Sequence, residues 1–77
     1  MSVVVVGGCG HVGLPLALAL ADSGVKTTAL DIDAEKVLRV MDGHMPFLEP
    51  GTKELLIKVL ASGNFTATTD PNSITDA

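Results

Sequence analysis

The chain has 77 residues, enough for one small domain, and 47% of them are hydrophobic while 18% are charged. Its net charge of −4 and its lack of Tyr and Trp argue against binding to nucleic acid or to an anionic membrane surface. A single cysteine cannot build a disulfide framework, which favours a reducing, cytoplasmic setting.

The first 21 residues carry no acidic or basic side chain, so a secretory signal is an alternative for this segment. Such a signal needs a basic start followed by 7–15 uninterrupted apolar residues. Here the first basic residue is Lys26, and glycines and Pro15 interrupt the apolar stretch. We therefore expect neither export nor a membrane-spanning segment.

The chain begins with a predicted strand, a glycine-rich turn and a helix. Val3–Gly7 is short, β-branched and apolar, which is typical of a fully buried parallel strand. Glycines recur in residues 8–13, and a helix is predicted over His11–Ser23 with Gly24 as its stop. Pro15 supports this start, because a missing backbone donor is tolerated only near the beginning of a helix.

A second strand and a short amphipathic helix are predicted next. Val25–Asp31 forms the strand, and Asp33 is placed to cap a helix over Ala34–Asp42. Glu35 and Arg39 stand four residues apart and are expected to pair on its outer face. The residues predicted to face inward are Val37, Leu38 and Met41.

A proline-containing loop then leads to a third predicted helix. Thr52 is expected to cap this helix, which runs through Ser62 with Gly63 as its stop. Glu54 and Lys58 are expected to pair on its outer face. The predicted buried stripe consists of Leu55, Leu56, Val59 and Leu60.

The order of the elements predicts the topology of the sheet. Phe65–Thr69 is a third predicted strand, and Asn72–Ala77 starts another helix after Asp70 and Pro71. Right-handed crossovers then give an α/β fold, a partial Rossmann-type doubly wound parallel sheet with three strands in the order 3-2-1. The first strand lies at an edge, whereas such folds place it in the middle. We therefore expect either that the chain is a fragment or that something else covers this edge.

The glycines after the first strand predict a phosphate-binding turn. A strand, a glycine-rich turn and a helix bring backbone amides and a helix N-terminus together, where they can bind a pyrophosphate. Gly8 is assigned to the tight turn, Gly10 to the close approach of the phosphates and Gly13 to the packing of the helix. A turn that serves packing alone is the alternative.

Asp31 ends the second predicted strand, 23 residues after Gly8, where an acid can accept hydrogen bonds from an adenosine ribose. A carboxylate there repels a 2′-phosphate, and Ile32 stands where NADP enzymes often have arginine, so NAD is favoured. Lys36 could reach the adenosine end, although a solvated lysine is the alternative from the sequence alone. Cys9 and His11 occupy the variable positions of the turn and are not expected to form a nucleophile and base.

No catalytic or metal-binding residue is predicted. His44 has no cysteine or second histidine near it in the sequence, which argues against a metal site. Glu49 lies beside Pro50 and could border the site, although a solvated loop acid is the default interpretation.

The chain resembles the opening of the UDP-glucose/GDP-mannose dehydrogenase family. The resemblance lies in Val5–Ala17, residues 31–33, Lys36 and residues 46–51 and 67–71. The members of this family are nucleotide-sugar 6-dehydrogenases. The resemblance covers essentially the whole chain and is more specific than the glycine pattern alone.

This resemblance implies NAD contacts at Val12, Asp31 and Lys36. His11 departs from the tyrosine common at its position, although a backbone contact would survive the change. The expected set of NAD-binding residues is Gly8, Gly10, His11, Val12, Gly13, Asp31 and Lys36.

The family oxidises a sugar C6 alcohol to a carboxylate in two NAD-dependent steps, through a thiohemiacetal on a cysteine. Cys9 does not correspond to that cysteine. The resemblance thus implies a role in polysaccharide biosynthesis and a homo-oligomeric full-length protein. Residues 1–77 would then be the N-terminal portion of the NAD-binding domain, truncated before its fourth strand. The nucleotide-sugar domain would lie beyond this chain, which alone would be inactive. One alternative is another Rossmann dehydrogenase, of the 3-hydroxyacyl-CoA or 6-phosphogluconate type, although the Pro46–Gly51 segment argues against it. A second alternative is a non-catalytic nucleotide-binding module.

Overall fold

Three parallel strands form the single sheet of the protein, in a computed structural model that describes residues 2–47 and 50–74. They are β1 (Ser2–Val6), β2 (Lys26–Leu30) and β3 (Phe65–Thr68). The strands lie side by side as β1-β2-β3, which is the predicted 3-2-1 order read from the other edge. The Rossmann-type arrangement is confirmed, with β1 as an edge strand.

The helices are α1 (Gly13–Asp22), α2 (Ala34–Met41) and α3 (Thr52–Ser62), and a 3₁₀ turn follows at Pro71–Ile74. Helix α1 begins two residues later than predicted, so His11 and Val12 belong to the turn that precedes it. The helix predicted after Pro71 is a 3₁₀ turn as far as residue 74, and the rest of that prediction lies outside the described residues. No helix in the described ranges is both long and apolar enough to cross a bilayer.

The core lies on one face of the sheet. Val5, Ala29 and Ala67 are in register across the three strands, and all three pack into the core. Helices α1 and α3 contact the sheet and each other, and supply four of the largest fully buried side chains. These are Leu14, Leu18, Leu56 and Val59.

The expectation that the first strand is fully buried is wrong. The valines of β1 are half-buried, and Val6 at its end is 72% exposed. Successive side chains of a strand point to opposite faces, so Val4 and Val6 lie on the face opposite Val5. This strand has β2 as a neighbour on one side only within the described part of the chain.

Two details of α2 and α3 differ from the prediction. The buried residues of α2 are Val37 and Val40, whereas Leu38 is 71% exposed and Met41 is 41% exposed. Residues three apart share a helix face, and Val37 with Val40 defines a face that turns Leu38 outward. Helix α3 is preceded by Gly51 in a left-handed conformation, so Thr52 is its first residue and not its cap.

The predicted cap and one of the two predicted ion pairs are confirmed. Asp33 caps α2 by accepting a hydrogen bond from the Lys36 amide at 3.2 Å, and Arg39 pairs with Glu35 at 2.8 Å. The predicted pair of Glu54 with Lys58 is wrong. The Lys58 ammonium instead lies 2.8 Å from Asp22 at the end of α1, because the two helices pack against each other.

Candidate functional site

The turn between β1 and α1 is tied to the carboxyl end of β2 by backbone hydrogen bonds. The amides of Gly7 and Gly8 both donate to the Leu30 carbonyl, at 2.8 and 3.1 Å. The Gly10 amide donates to the Gly7 carbonyl at 3.1 Å and closes the turn. Gly7 has a φ of +72°, a conformation that favours glycine. Gly7 was not predicted as a turn residue, although two adjacent glycines at positions 7 and 8 indicate a turn.

The three glycines of the pattern have different surroundings. A Cβ on Gly8 would lie 2.5 Å from Ala29 Cβ, so this glycine permits close packing of the turn on β2 and the left-handed turn residue is Gly7 instead. A Cβ on Gly13 would overlap the Gly7 carbonyl, in line with its predicted packing role. At Gly10 the nearest atom would be the Gly7 oxygen at 3.4 Å, an ordinary contact. Fold packing therefore leaves space beside Gly10.

Three amides at the start of α1 are open to a ligand. The Leu14 and Leu16 amides donate to the carbonyls of Gly10 and Val12, at 3.0 and 3.5 Å, and Pro15 has no amide hydrogen. Within residues 2–47 and 50–74 the amides of His11, Val12 and Gly13 have no acceptor. Unpaired amides at a helix N-terminus carry partial positive charge and suit an anion such as a phosphate.

Asp31 lies next to this turn, directly after β2. Its Oδ2 accepts a hydrogen bond from the Cys9 amide at 3.1 Å, and its Oδ1 accepts one from the Asp33 amide at 3.0 Å. A carboxylate has about four acceptor positions, so each oxygen retains capacity for a ligand hydroxyl. The turn and the acid predicted to serve pyrophosphate and ribose are thus in direct contact.

A cleft of about 370 Å³ opens beside Asp31 at the carboxyl ends of the strands. Ligands of open α/β sheets bind at this end, and the volume falls within the range of small-molecule sites. Apart from the carboxylate and a threonine, the side chains around it are mainly apolar. The threonine is Thr69, and the apolar side chains are those of Val6, Leu30, Ile32 and Pro71. Ile32 is 98% exposed and so presents an apolar surface to any ligand here.

Lys36 lies in the first turn of α2 and lines a separate, smaller cleft of about 190 Å³. Asp33, Glu35, Arg39 and Pro46 line the same cleft. The structure therefore brings together the turn and Asp31, and places Lys36 beside them rather than in the lining of the cleft next to Asp31.

The two side chains of the turn that could have suggested catalysis have other surroundings. Cys9 is fully buried, and this burial, together with a smaller effect of the nearby Asp31 carboxylate, raises the pKa of its thiol from 9.0 to about 11. Its thiol therefore stays protonated near neutral pH. The His11 ring stacks on Phe47 of the α2–α3 loop, with the ring centres 4.2 Å apart. No pattern in the sequence indicates this contact.

Among the residues that the structure describes, no group of three or more His, Cys, Asp or Glu side chains could hold a metal ion. His44 pairs with Asp42 at 3.2 Å, and Glu49 lies outside the described residues.

The residues present fit a dinucleotide. The amides without an acceptor can donate hydrogen bonds to a diphosphate, and the space beside Gly10 lets the diphosphate approach. The Asp31 carboxylate can accept a hydrogen bond from a ribose hydroxyl. The adjoining cleft is apolar enough for an adenine ring.

Comparison with known proteins agrees with this geometry. Residues 1–77 match the family described as "UDP-glucose/GDP-mannose dehydrogenase family, NAD binding domain". The UDP-N-acetyl-D-mannosamine dehydrogenase of Methanococcus aeolicus is 41% identical over 64 residues, which are 83% of this chain and 15% of that protein. The UDP-glucose 6-dehydrogenase YwqF of Bacillus subtilis is 40% identical over 63 residues, 82% of this chain and 14% of that protein.

Solved structures show the same fold. A UDP-D-ManNAc dehydrogenase from Pyrococcus horikoshii superimposes with a TM-score of 0.91 at 30% identity, covering 96% of this chain and 18% of the other. A GDP-mannose dehydrogenase from Pseudomonas aeruginosa, solved as a ternary complex, has a TM-score of 0.86 at 30% identity, covering 91% and 16%. The chain thus spans less than a fifth of the length of these relatives.

Proposed function

The chain belongs to the UDP-glucose/GDP-mannose dehydrogenase family, because residues 1–77 match the NAD-binding domain of that family. We propose that it binds NAD at the turn after β1 and at Asp31. The amides of His11, Val12 and Gly13 bind the diphosphate, and the Asp31 carboxylate accepts hydrogen bonds from the adenosine ribose. The single observation that carries the proposal is the contact between this turn and Asp31, through the Cys9 amide.

The remaining members of the expected set have supporting roles in the proposal. Gly8 and Gly13 let the turn pack against β2 and against itself, and Gly10 leaves the space through which phosphates approach. The ammonium of Lys36, which lines the separate cleft of about 190 Å³, adds positive charge near the adenosine end.

We also propose that this binding unit serves a nucleotide-sugar 6-dehydrogenase that acts on a UDP-sugar. Bound NAD supplies the hydride acceptor for oxidation of the C6 alcohol to a carboxylate. The described residues bind and orient the coenzyme, and no side chain among them is arranged as a nucleophile or base. The 77-residue chain is therefore expected to bind NAD without turnover, as the N-terminal portion of its domain. The substrate domain, a homo-oligomeric state, a cytoplasmic setting and a role in polysaccharide biosynthesis belong to the same proposal.

Calorimetric titration of the chain with NAD, NADP and ADP-ribose tests the binding proposal. We expect NAD and ADP-ribose to bind and NADP to bind more weakly, because Asp31 repels a 2′-phosphate. Asp31→Ala should weaken NAD binding at least about tenfold, the effect of losing a charged hydrogen-bond partner. Asp22→Ala is the matched control, since it removes a carboxylate at the opposite end of α1. Equal affinities for wild type and Asp31→Ala would contradict the proposed contact between Asp31 and the ribose.

A further inference from the structure

Asp31 connects two parts of the proposed site that lie 22 residues apart in the sequence. Its Oδ2 accepts a hydrogen bond from the Cys9 amide of the turn, while its Oδ1 accepts one from the Asp33 amide at the start of α2. The carboxylate is therefore held in one orientation from both sides, before any ligand arrives.

The bond to Cys9 has no substitute in the turn. The Gly7, Gly8 and Gly10 amides use backbone carbonyls as acceptors, whereas the Cys9 amide uses the Asp31 side chain. Cys9 is fully buried, and a buried amide without an acceptor is costly. Removing the Asp31 acceptor is thus expected to disturb the conformation of the turn just before the open amides of residues 11–13.

We propose that Asp31 is a positioning residue for the diphosphate-binding turn, in addition to its contact with the ribose. By accepting a hydrogen bond from the Cys9 amide, the Asp31 carboxylate fixes the conformation of the turn. The amides of residues 11–13 are then oriented to bind the diphosphate. This inference rests on the proposed function, because it concerns the same site.

The two effects of the carboxylate on a diphosphate have opposite signs, and this separates them. Its negative charge repels the anion, so removing the charge favours binding. Its hydrogen bond orders the turn, so removing the acceptor opposes binding. Asp31→Asn removes the charge and keeps an acceptor oxygen, whereas Asp31→Ala removes both. Charge alone predicts that the two variants bind a diphosphate equally well.

The experiment uses inorganic pyrophosphate, which has no ribose, and ADP-ribose, which has one. Both are titrated into isotope-labelled chain and followed by the backbone amide resonances. We expect Asp31→Ala to bind pyrophosphate about threefold to tenfold more weakly than Asp31→Asn, the effect of losing one hydrogen bond. Hydrogen exchange of the Cys9 amide should be faster in Asp31→Ala. Asp33→Ala is the matched control, because it removes a neighbouring carboxylate that caps α2 and does not bond to the turn.

Equal pyrophosphate affinities for the two Asp31 variants, with unchanged exchange at Cys9, would overturn the positioning role while leaving NAD binding intact. If wild-type chain bound neither probe, the proposed function would fail and this inference with it. Should Asp31→Ala not fold, Cys9 exchange in Asp31→Asn decides the matter. A neutral acceptor holds the amide less strongly than a charged one, so exchange should exceed that in Asp33→Ala, and equal rates would overturn the inference.

Discussion

Gly8 lies so close to Ala29 of β2 that a methyl group at residue 8 would come within 2.5 Å of the Ala29 Cβ atom. The glycine turn is therefore packed directly on the second strand. Only two residues away, Gly10 has space on its open side. The same motif thus contains one glycine that the fold requires and one that the proposed ligand requires.

Substituting these two glycines separates stability from binding. Gly8→Ala should lower the free energy of unfolding by about 2 kcal/mol or more, because the new Cβ overlaps the β2 backbone. Gly10→Ala should change it by less than about 1 kcal/mol, yet abolish most NAD binding, because its methyl group obstructs the diphosphate. Thermal unfolding and calorimetric titration measure the two effects. A Gly10→Ala chain that binds NAD as wild type does would show that the phosphates do not approach there.

Coenzyme preference should follow the residues that end β2. Replacing Asp31 by serine and Ile32 by arginine removes the carboxylate that repels a 2′-phosphate and adds a cation that can pair with it. We expect the ratio of NADP to NAD affinity to rise at least about tenfold. Titration of the double variant with both coenzymes measures this ratio. An unchanged preference would mean that Asp31 is not beside the ribose.

The thiol of Cys9 should be unreactive in the folded chain. Because burial raises its pKa from 9.0 to about 11, alkylation by iodoacetamide at pH 8 should be about a hundredfold slower than in denaturant. The folded chain holds this proton more tightly than the unfolded chain. The free energy of unfolding should therefore fall as the pH rises from 9 to 11, by up to about 3 kcal/mol.

Cys9→Ala isolates this contribution from the lysines that titrate in the same range. The variant should lack the part of the decline due to the thiol, as seen in denaturant unfolding at each pH. Rapid alkylation of the folded wild-type chain would show that the thiol is accessible and the site is arranged differently.

The free edge of β1 should make the isolated chain associate. Its backbone has one neighbouring strand in the described structure, and Val6 at its end is 72% exposed. We expect the mass in sedimentation to rise above the 7.9 kDa of one chain with increasing concentration. Val4→Lys should reduce this association. Thr66→Lys is its control, because residues 4 and 66 lie in register on the same face but at opposite edges. A monodisperse wild-type monomer that melts cooperatively would contradict the expectation.

The fold and the main part of the site could be predicted because they depend on local patterns. Four valines, a glycine turn and an Ala-Leu helix specify β1 and α1, and right-handed crossovers fix the order of the strands. The distance from the glycines to Asp31 predicted an acid at the end of the second strand, and the contact of this acid with a ribose stays a prediction. The direct hydrogen bond between Asp31 and the Cys9 amide could not be predicted, because it depends on the depth at which the turn packs on β2.

The errors arose where tertiary packing decides between local alternatives. In α2 the apolar residues at 37, 38, 40 and 41 allow more than one inward face, and packing against β3 selects Val37 and Val40. Lys58 could pair with Glu54 in its own helix or with Asp22 across the α1–α3 contact, and in the structure it pairs with Asp22. The stacking of Phe47 on His11 joins a loop to the turn and leaves no trace in sequence periodicity.

A crystal structure of the chain with bound NAD would show the contacts of the coenzyme themselves. We expect diphosphate oxygens within hydrogen-bonding distance of the amides of His11, Val12 and Gly13, with a ribose hydroxyl donating to the Asp31 carboxylate. Coenzyme bound elsewhere on the chain, with these amides free of phosphate and Asp31 facing solvent, would contradict this expectation.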